Sequence, residues 1–352
     1  MSPKFELLCI GNAIVDVFSS ADFSLMEKFG ITGSVQHIDR NNAEAILCEL
    51  EAVQGSALVA SGGGAANVAK ISAMLGMKSA FCGCVGQDPM AEIFRQDLER
   101  AGASAILCYV KEKTGVCLVL NSGEERRIAA SPGAALELSW SCIDNTFFSS
   151  AEIVVIDGYI LDNRLLVKQI LKHAGQLEIP VVIDAASVFQ IQNKAEEIMH
   201  YSRNHPLFLF MNVDEAIAFY NTVTKSKMDK TDLSESEKIG FILKDVCPML
   251  KTIAKGEKFP IMAIKLGSMG AVVVANNSVY REKCIPVLAG DTVGVGDAFA
   301  AAFLSSWIRG YSLSECAAMG NKVARRILEA PGTSIKDSRL KTFARALKKP
   351  RT

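Results

Sequence analysis

Short apolar runs rich in valine and isoleucine punctuate the whole chain: Leu7 to Ile10, Ile153 to Ile156, Val181 to Ile183, Leu207 to Met211, Ile261 to Ile264 and Ala271 to Val274. They lack the polar alternation of a half-exposed strand, so they read as strands buried on both faces. Helical patterns lie between them. Pro89 to Ala101 carries Ile93, Phe94, Leu98 and Ala101 on one face, with Asp88 as N-cap and Gly102 as the stop. Ala65 to Leu75 runs into Gly76, and Ala298 to Ile308 into Gly310, in the same way. Strands alternating with helices imply an α/β fold in which a mainly parallel central sheet is covered on both sides.

Two stretches break that rhythm. Residues from about 15 to 60 and from about 107 to 135 contain short β-like pieces with polar faces, among them Ser34 to Ile38 and Thr114 to Leu120. The second continues into Asn121-Ser-Gly-Glu124, a hairpin turn. Both leave the first half of the sheet, so they are expected to form one small β-sheet lid over a single domain spanning residues 1–352.

Composition narrows the function classes. With 38 basic and 38 acidic side chains the net charge is zero, which argues against a nucleic-acid binder working through a general basic field. No apolar run is long enough for a membrane span, and Gly11, Asn12 and Asp16 interrupt the only N-terminal candidate for a leader. The ten cysteines include no CxxC pair, so zinc-ribbon and thioredoxin readings fail; they are expected to be reduced, buried thiols of a cytoplasmic protein. The four histidines have no metal-ligand spacing.

Two glycine-rich segments carry the chemistry. Asp291-Thr-Val-Gly-Val-Gly-Asp297 runs straight into an apolar helix. Gly294 and Gly296 allow a tight turn, and the helix start offers unpaired N–H groups to an anion, usually phosphate. Asp297 would repel a phosphate unless it serves as a base toward an attacking hydroxyl; otherwise it merely caps the helix. The helix dipole is expected to lower its pKa. The P-loop is excluded because no Gly-Lys pair occurs, and the dinucleotide fingerprint because Phe299 stands where its third glycine belongs. In the second segment, Ser61-Gly-Gly-Gly-Ala-Ala-Asn67, consecutive glycines permit either close approach to a ligand or close helix–strand packing.

Together these segments resemble the two signatures of the ribokinase-like (PfkB) carbohydrate kinase family. Gly62-Gly63 through Asn67, Gly76 and Gly86 match the first, and Asp291 to Asp297 the second. The likeness extends through Gly11-Asn12 to Asp16, Val85 to Asp88 and Asn212 to Glu215, and is nearest to the adenosine-kinase branch. It implies a Rossmann-type three-layer sandwich and an ATP- and Mg²⁺-dependent transfer of a phosphoryl group to a small-molecule hydroxyl. Asp297 matches the family's catalytic base, and the backbone of Gly294, Val295 and Gly296 its anion hole. Asp16, Gly62, Gly63 and Asn67 match positions that hold sugar hydroxyls, and Asn12 a further substrate position. Arg126 matches a lid arginine that folds over the phosphates. Asn212 and Glu215 match the pair that organises magnesium-bound waters, so no direct metal ligand is implied. Lys265, Gly267 and Gly270 match the nucleotide loop, with Lys265 either touching ATP or on the surface; Asn321 matches a position beside the purine. In many members a monovalent cation, K⁺, sits by the residue that Asp291 matches. Val295, Ala65, Ala66 and Pro132-Gly133 depart from the usual pattern.

The expectation is a kinase of a ribosyl primary hydroxyl, adenosine to AMP first among them, acting as a monomer or homodimer without nucleic-acid or membrane partners. A kinase of a free sugar such as ribose or fructose is the nearest rival. A non-catalytic nucleoside-binding module on the same fold is the rival from another class.

Overall fold

A computed structural model describes residues 5–20, 23–33, 35–54, 57–123, 125–226, 232–275, 277–287, 293–329 and 340–347. The chain starts in the core with β1 (Phe5–Ile10) and leaves it for β2 (Ile14–Ser20), α1 (Phe23–Lys28), β3 (Val35–His37), α2 (Arg40–Gln54) and β4 (Leu58–Gly62). It returns through α3 (Gly64–Met74), β5 (Ser79–Val85), α4 (Pro89–Arg100) and β6 (Ser104–Tyr109), then leaves again for the hairpin β7 (Gly115–Ser122) and β8 (Glu125–Ser131). After α5 (Asn145–Phe148) the α/β alternation is regular: β9 (Ala151–Asp157), α6 (Arg164–Gln176), β10 (Val181–Asp184), α7 (Val188–Ser202), β11 (Leu207–Asn212) and α8 (Val213–Thr224). The C-terminal part holds α9 (Glu235–Phe241), α10 (Cys247–Gly256), β12 (Ile261–Lys265), β13 (Ala271–Ala275), β14 (Ser278–Glu282), α11 (Val295–Ile308), α12 (Leu313–Leu328) and α13 (Lys341–Ala346).

The large sheet has the order β14-β13-β12-β11-β10-β9-β1-β5-β6, parallel except for β13 and β14. Its inner strands, from β13 to β5 in that order, are buried on both sides because alternate side chains enter different cores. Leu7, Cys9, Ile153 and Val155 face α3, α4, α11 and α12; Leu8, Ile10, Val154 and Ile156 face α6, α7, α8 and α10. Helix on sheet on helix is the expected three-layer arrangement. Among the described residues no helix is long and apolar enough to cross a membrane.

The second sheet, β3-β8-β7-β2-β4, draws its strands from both stretches that broke the sequence rhythm. Its Val15, Val17, Leu118 and Leu120 join the same apolar cluster as the α3 side of the large sheet. The boundary differs from expectation at one end. Residues 107–109 belong to β6, which pairs with β5 at the edge of the large sheet, so the hairpin leaves the core only after that strand. Pairing with a neighbour outweighed the polar look of the segment.

One glycine is dispensable. Gly240 lies inside α9, and a Cβ there meets nothing within 4 Å. Gly240→Ala is therefore expected to stabilise the protein by about 0.5–1 kcal/mol, read as a higher urea midpoint at unchanged slope.

Candidate active site

Helix α11 begins where Gly294 turns left-handed, at φ 75°, with no side chain capping it. Its first N–H groups therefore lack intrahelical acceptors and face outward as donors. The rest of the helix, from Ala298 to Ser306, is buried, which fixes the direction of this end. Asp297 sits in the first turn. Its Oδ2 accepts a 2.8 Å hydrogen bond from Nδ2 of Asn67, in the first turn of α3. Helix α3 is preceded by its N-cap Gly63, whose φ of 91° and the Asn12 carbonyl oxygen, 2.4 Å from where a Cβ would stand, leave no room for a side chain. Two glycine-started helices thus converge on one carboxylate.

Burial is the main force on Asp297 and pushes its pKa up to about 6; the negative charge of Asp184 adds to this, while Asn67, Lys265 and Lys70 pull it back. The expected lowering by the helix dipole is overturned: desolvation outweighs it. A pKa near 6 still leaves the group mostly ionised at neutral pH, as a base with more proton affinity than a surface aspartate.

On one side of Asp297 opens a cleft of about 570 Å³. Its wall brings together Val295, Gly296, Asp297, Lys265, Gly267, Gly270, Asn212, Glu215 and Asn321, which are distant in sequence. Lys265 is neither on the surface nor unpaired. Its ammonium lies 3.0 and 3.1 Å from the two carboxylate oxygens of Asp184. Burial alone would lower its pKa, but Asp184 and Glu215 raise it above the ordinary lysine value. Asn212 and Glu215 form a reciprocal capping box at the start of α8, with Asn212 N donating to Glu215 Oε2 (2.7 Å) and Glu215 N to Asn212 Oδ1 (2.9 Å). Asn321 donates to the Glu282 carbonyl at 3.2 Å. Gly270 is required by its φ of 98° and by the Glu282 carbonyl oxygen, 2.0 Å from where a Cβ would stand.

The other side of Asp297 is built from the β1–β2 crossing and the β4–α3 turn. The Asp16 carboxylate packs directly on Gly62, where a Cβ would be 2.2 Å from it. Asn12 N donates to Asp157 Oδ2 at 3.3 Å. Arg126 lies elsewhere: on the hairpin its Nε donates to Asn121 at 3.1 Å, and it does not line the cleft. Asp291 falls outside the described residues.

Three participants were not anticipated. Asp157 and Asp184 end the neighbouring parallel strands β9 and β10 in register. A carboxylate closing each of two adjacent apolar runs marks the sheet edge where α/β proteins bind ligands, so that signal was present. Lys70, buried in α3, donates to the Ser61 carbonyl at 2.5 Å and pairs with Asp97 at 3.5 Å, bracing the β4–α3 turn. A lone lysine in an apolar helix gives no such hint.

Burial also raises Glu215 and Asp157, each to about 7. The folded state therefore holds protons on Asp297, Asp157 and Glu215 that the unfolded chain releases near pH 4. The stability they contribute is full below about pH 4 and is lost as pH rises to about 7. Carboxylates held low, such as Asp88 and Asp97, are lost only in the acid range below their ordinary value. The ligand-free protein is thus expected to melt at a higher Tm at about pH 5.5 than at about pH 7.5. A Tm that rises toward neutrality would contradict this.

The chain is similar to known proteins over nearly its whole length. The profile described as pfkB family carbohydrate kinase matches residues 26–339. Adenosine kinase of Schizophyllum commune is 24% identical over 351 residues, covering 95% of this chain and 97% of that protein. Among solved structures, a probable sugar kinase from Rhizobium etli superposes with a TM-score of 0.81 at 25% identity, covering 98% of each chain. Adenosine kinase from Sinorhizobium meliloti gives a TM-score of 0.80 at 26% identity, covering 97% of this chain and 99% of that one.

Proposed function

The chain belongs to the pfkB family of carbohydrate kinases, and from that premise we propose that it transfers the γ-phosphoryl of ATP to the primary hydroxyl of a ribosyl substrate, converting adenosine to AMP. The observation that carries this reading is the position of Asp297. It is a half-buried, desolvated base at an uncapped helix start, walled on one side by the cleft and on the other by Asn67 and the β4–α3 turn.

On this reading the nucleotide enters the cleft along Gly267, Gly270 and Asn321, and the acceptor lies toward Asn12, Asp16 and the Gly62–Gly63 turn. Asp297 draws the hydroxyl proton while the first N–H groups of α11 meet the charge of the transferring phosphoryl. Phosphoryl transfer needs little covalent help, so holding donor and acceptor in line supplies most of the rate. The donor set also fits a hydrated magnesium ion. Glu215 and Asp184 are acidic groups on the cleft wall, and Glu215 carries a pKa raised to about 7 chiefly by burial, which a nearby cation would relieve. Such an ion would neutralise charge on the nucleotide phosphates. The small sheet would close as a lid that excludes competing water, and Arg126 would leave Asn121 for the phosphates as it does so. The same reading places the enzyme in the cytoplasm.

The second reading, a kinase of a free sugar, is favoured by the likeness to the Rhizobium etli probable sugar kinase. The test is ADP release from Mg-ATP with a panel of nucleosides and free sugars. Adenosine is expected to give the highest kcat/KM, with AMP as product. Turnover with ribose or fructose alone would support the second reading, and nucleoside binding without ADP would overturn catalysis altogether.

A further inference from the structure

Three cysteines far apart in sequence meet at the edge of the large sheet, away from the Asp297 cleft. Cys84 and Cys108 are register partners on the parallel pair β5 and β6, so their side chains share one face. Cys142 ends the short turn Trp140–Cys142, which crosses that face. The turn is pinned from behind: Trp140 stacks on His173 at 4.1 Å and meets Phe148 edge-on at 5.4 Å. The three sulfurs lie within 4.8 Å of one another. Cys142 Sγ is 3.6 Å from Cys84 Sγ but only 2.8 Å from Cys108 Sγ, within an ångström of the roughly 2.05 Å of a disulfide.

We propose that Cys108 and Cys142 form an oxidisable dithiol, a modification site for small hydroperoxides, whose disulfide joins the two stems of the β7–β8 hairpin. Both residues are partly exposed, whereas Cys84 is buried behind them. Cys142 is the attacking sulfur. Burial would raise its pKa, but its hydrogen bonds with Cys108, Ser139 and Cys84 outweigh that and hold it below the ordinary thiol value; Cys84 is pushed up by burial and stays a thiol. The Cys142 thiolate forms an S–O bond to the peroxide, the O–O bond breaks, and water leaves once the departing oxygen is protonated. Cys108 then attacks the Cys142 sulfenic acid, the S–O bond breaks, and the Cys108 proton leaves with the hydroxyl as a second water. Two thiols and one hydrogen peroxide give one disulfide and two waters, and a dithiol reductant reverses the step.

The geometry favours this over a metal site. Two sulfurs on one zinc ion, each bonded at about 2.3 Å in a tetrahedral arrangement, stand well over 3 Å apart. The 2.8 Å pair would have to separate, and no histidine or carboxylate joins the cluster among the described residues. The segment between the two cysteines contains the whole β7–β8 hairpin, so the cross-link would close that excursion at its base.

The test is chemical and independent of kinase activity. Purified, fully reduced protein is treated with one to a few equivalents of hydrogen peroxide and mapped by non-reducing peptide mass spectrometry. The expected result is loss of two hydrogens per chain and a linked Cys108–Cys142 peptide pair, recovered as thiols by dithiothreitol. Cys84→Ser is expected to keep the link, while Cys108→Ser leaves Cys142 as a sulfenic acid trapped by dimedone. Links elsewhere, oxidation spread evenly over the ten cysteines, or stoichiometric zinc or copper that blocks the link until it is chelated would each overturn the proposal.

Discussion

Asp297→Asn is expected to cut kcat by about 10²–10⁴-fold, the range for a lost general base, while KM for ATP and acceptor changes only a few-fold. Asparagine keeps an oxygen that can accept the Asn67 Nδ2 hydrogen bond, so the meeting of α3 and α11 survives. It also removes a negative charge that desolvation and the neighbouring Asp184 disfavour. The variant should therefore unfold no earlier than the parent, which separates a chemical loss from a folding one. In the parent enzyme the same group is expected to set the acid limb of the pH profile. With a pKa of about 6, Asp297 is progressively protonated below that value, and log kcat/KM should fall toward a slope of one. Turnover near the parent level in Asp297→Asn would remove Asp297 from the mechanism.

Gly63→Ala is expected to be strongly damaging, although it adds only one methyl group. A φ of 91° costs an L-residue about 1–3 kcal/mol in backbone strain. The new Cβ would also sit 2.4 Å from the Asn12 carbonyl oxygen. That carbonyl has little freedom, because Asn12 N is tied to Asp157. Relieving the contact means moving the start of α3, and Asn67 moves with it. A total loss of roughly 3–5 kcal/mol is a large part of the usual 5–15 kcal/mol of a folded domain. The urea midpoint should drop sharply and the remaining folded protein should turn over slowly. A midpoint equal to the parent's would show that the β4–α3 turn is slack.

Much of this was legible in the residues. The apolar runs from Leu7 to Val274 are strands of the large sheet, and the helix stops at Gly76, Gly102 and Gly310 stand where they were read. Those signals are local: a strand buried on both faces or a helix ended by glycine needs no distant partner to declare itself. The errors came from distant partners. Residues 107–109 looked like the small sheet until β5 claimed them. The surface place left open for Lys265 fails because Asp184, which neutralises it, lies on another strand. Asp297 was expected to be acidified by its own helix, whereas its pKa is set mainly by the burial that packing imposes. Spacing along the chain likewise gave no sign that Cys84, Cys108 and Cys142 would meet.

The parallel pairing of β2 with β7 has a consequence for synthesis. Ile14 aligns with Gly115, so the centre of the small sheet joins residues some hundred positions apart. As the chain leaves the ribosome, β2 and β4 emerge long before the hairpin that covers their other edge. Until β7 arrives, β2 presents an open ladder of backbone donors and acceptors to any passing strand. The vulnerable interval in the life of this protein is therefore its own translation, between the first excursion from the core and the second.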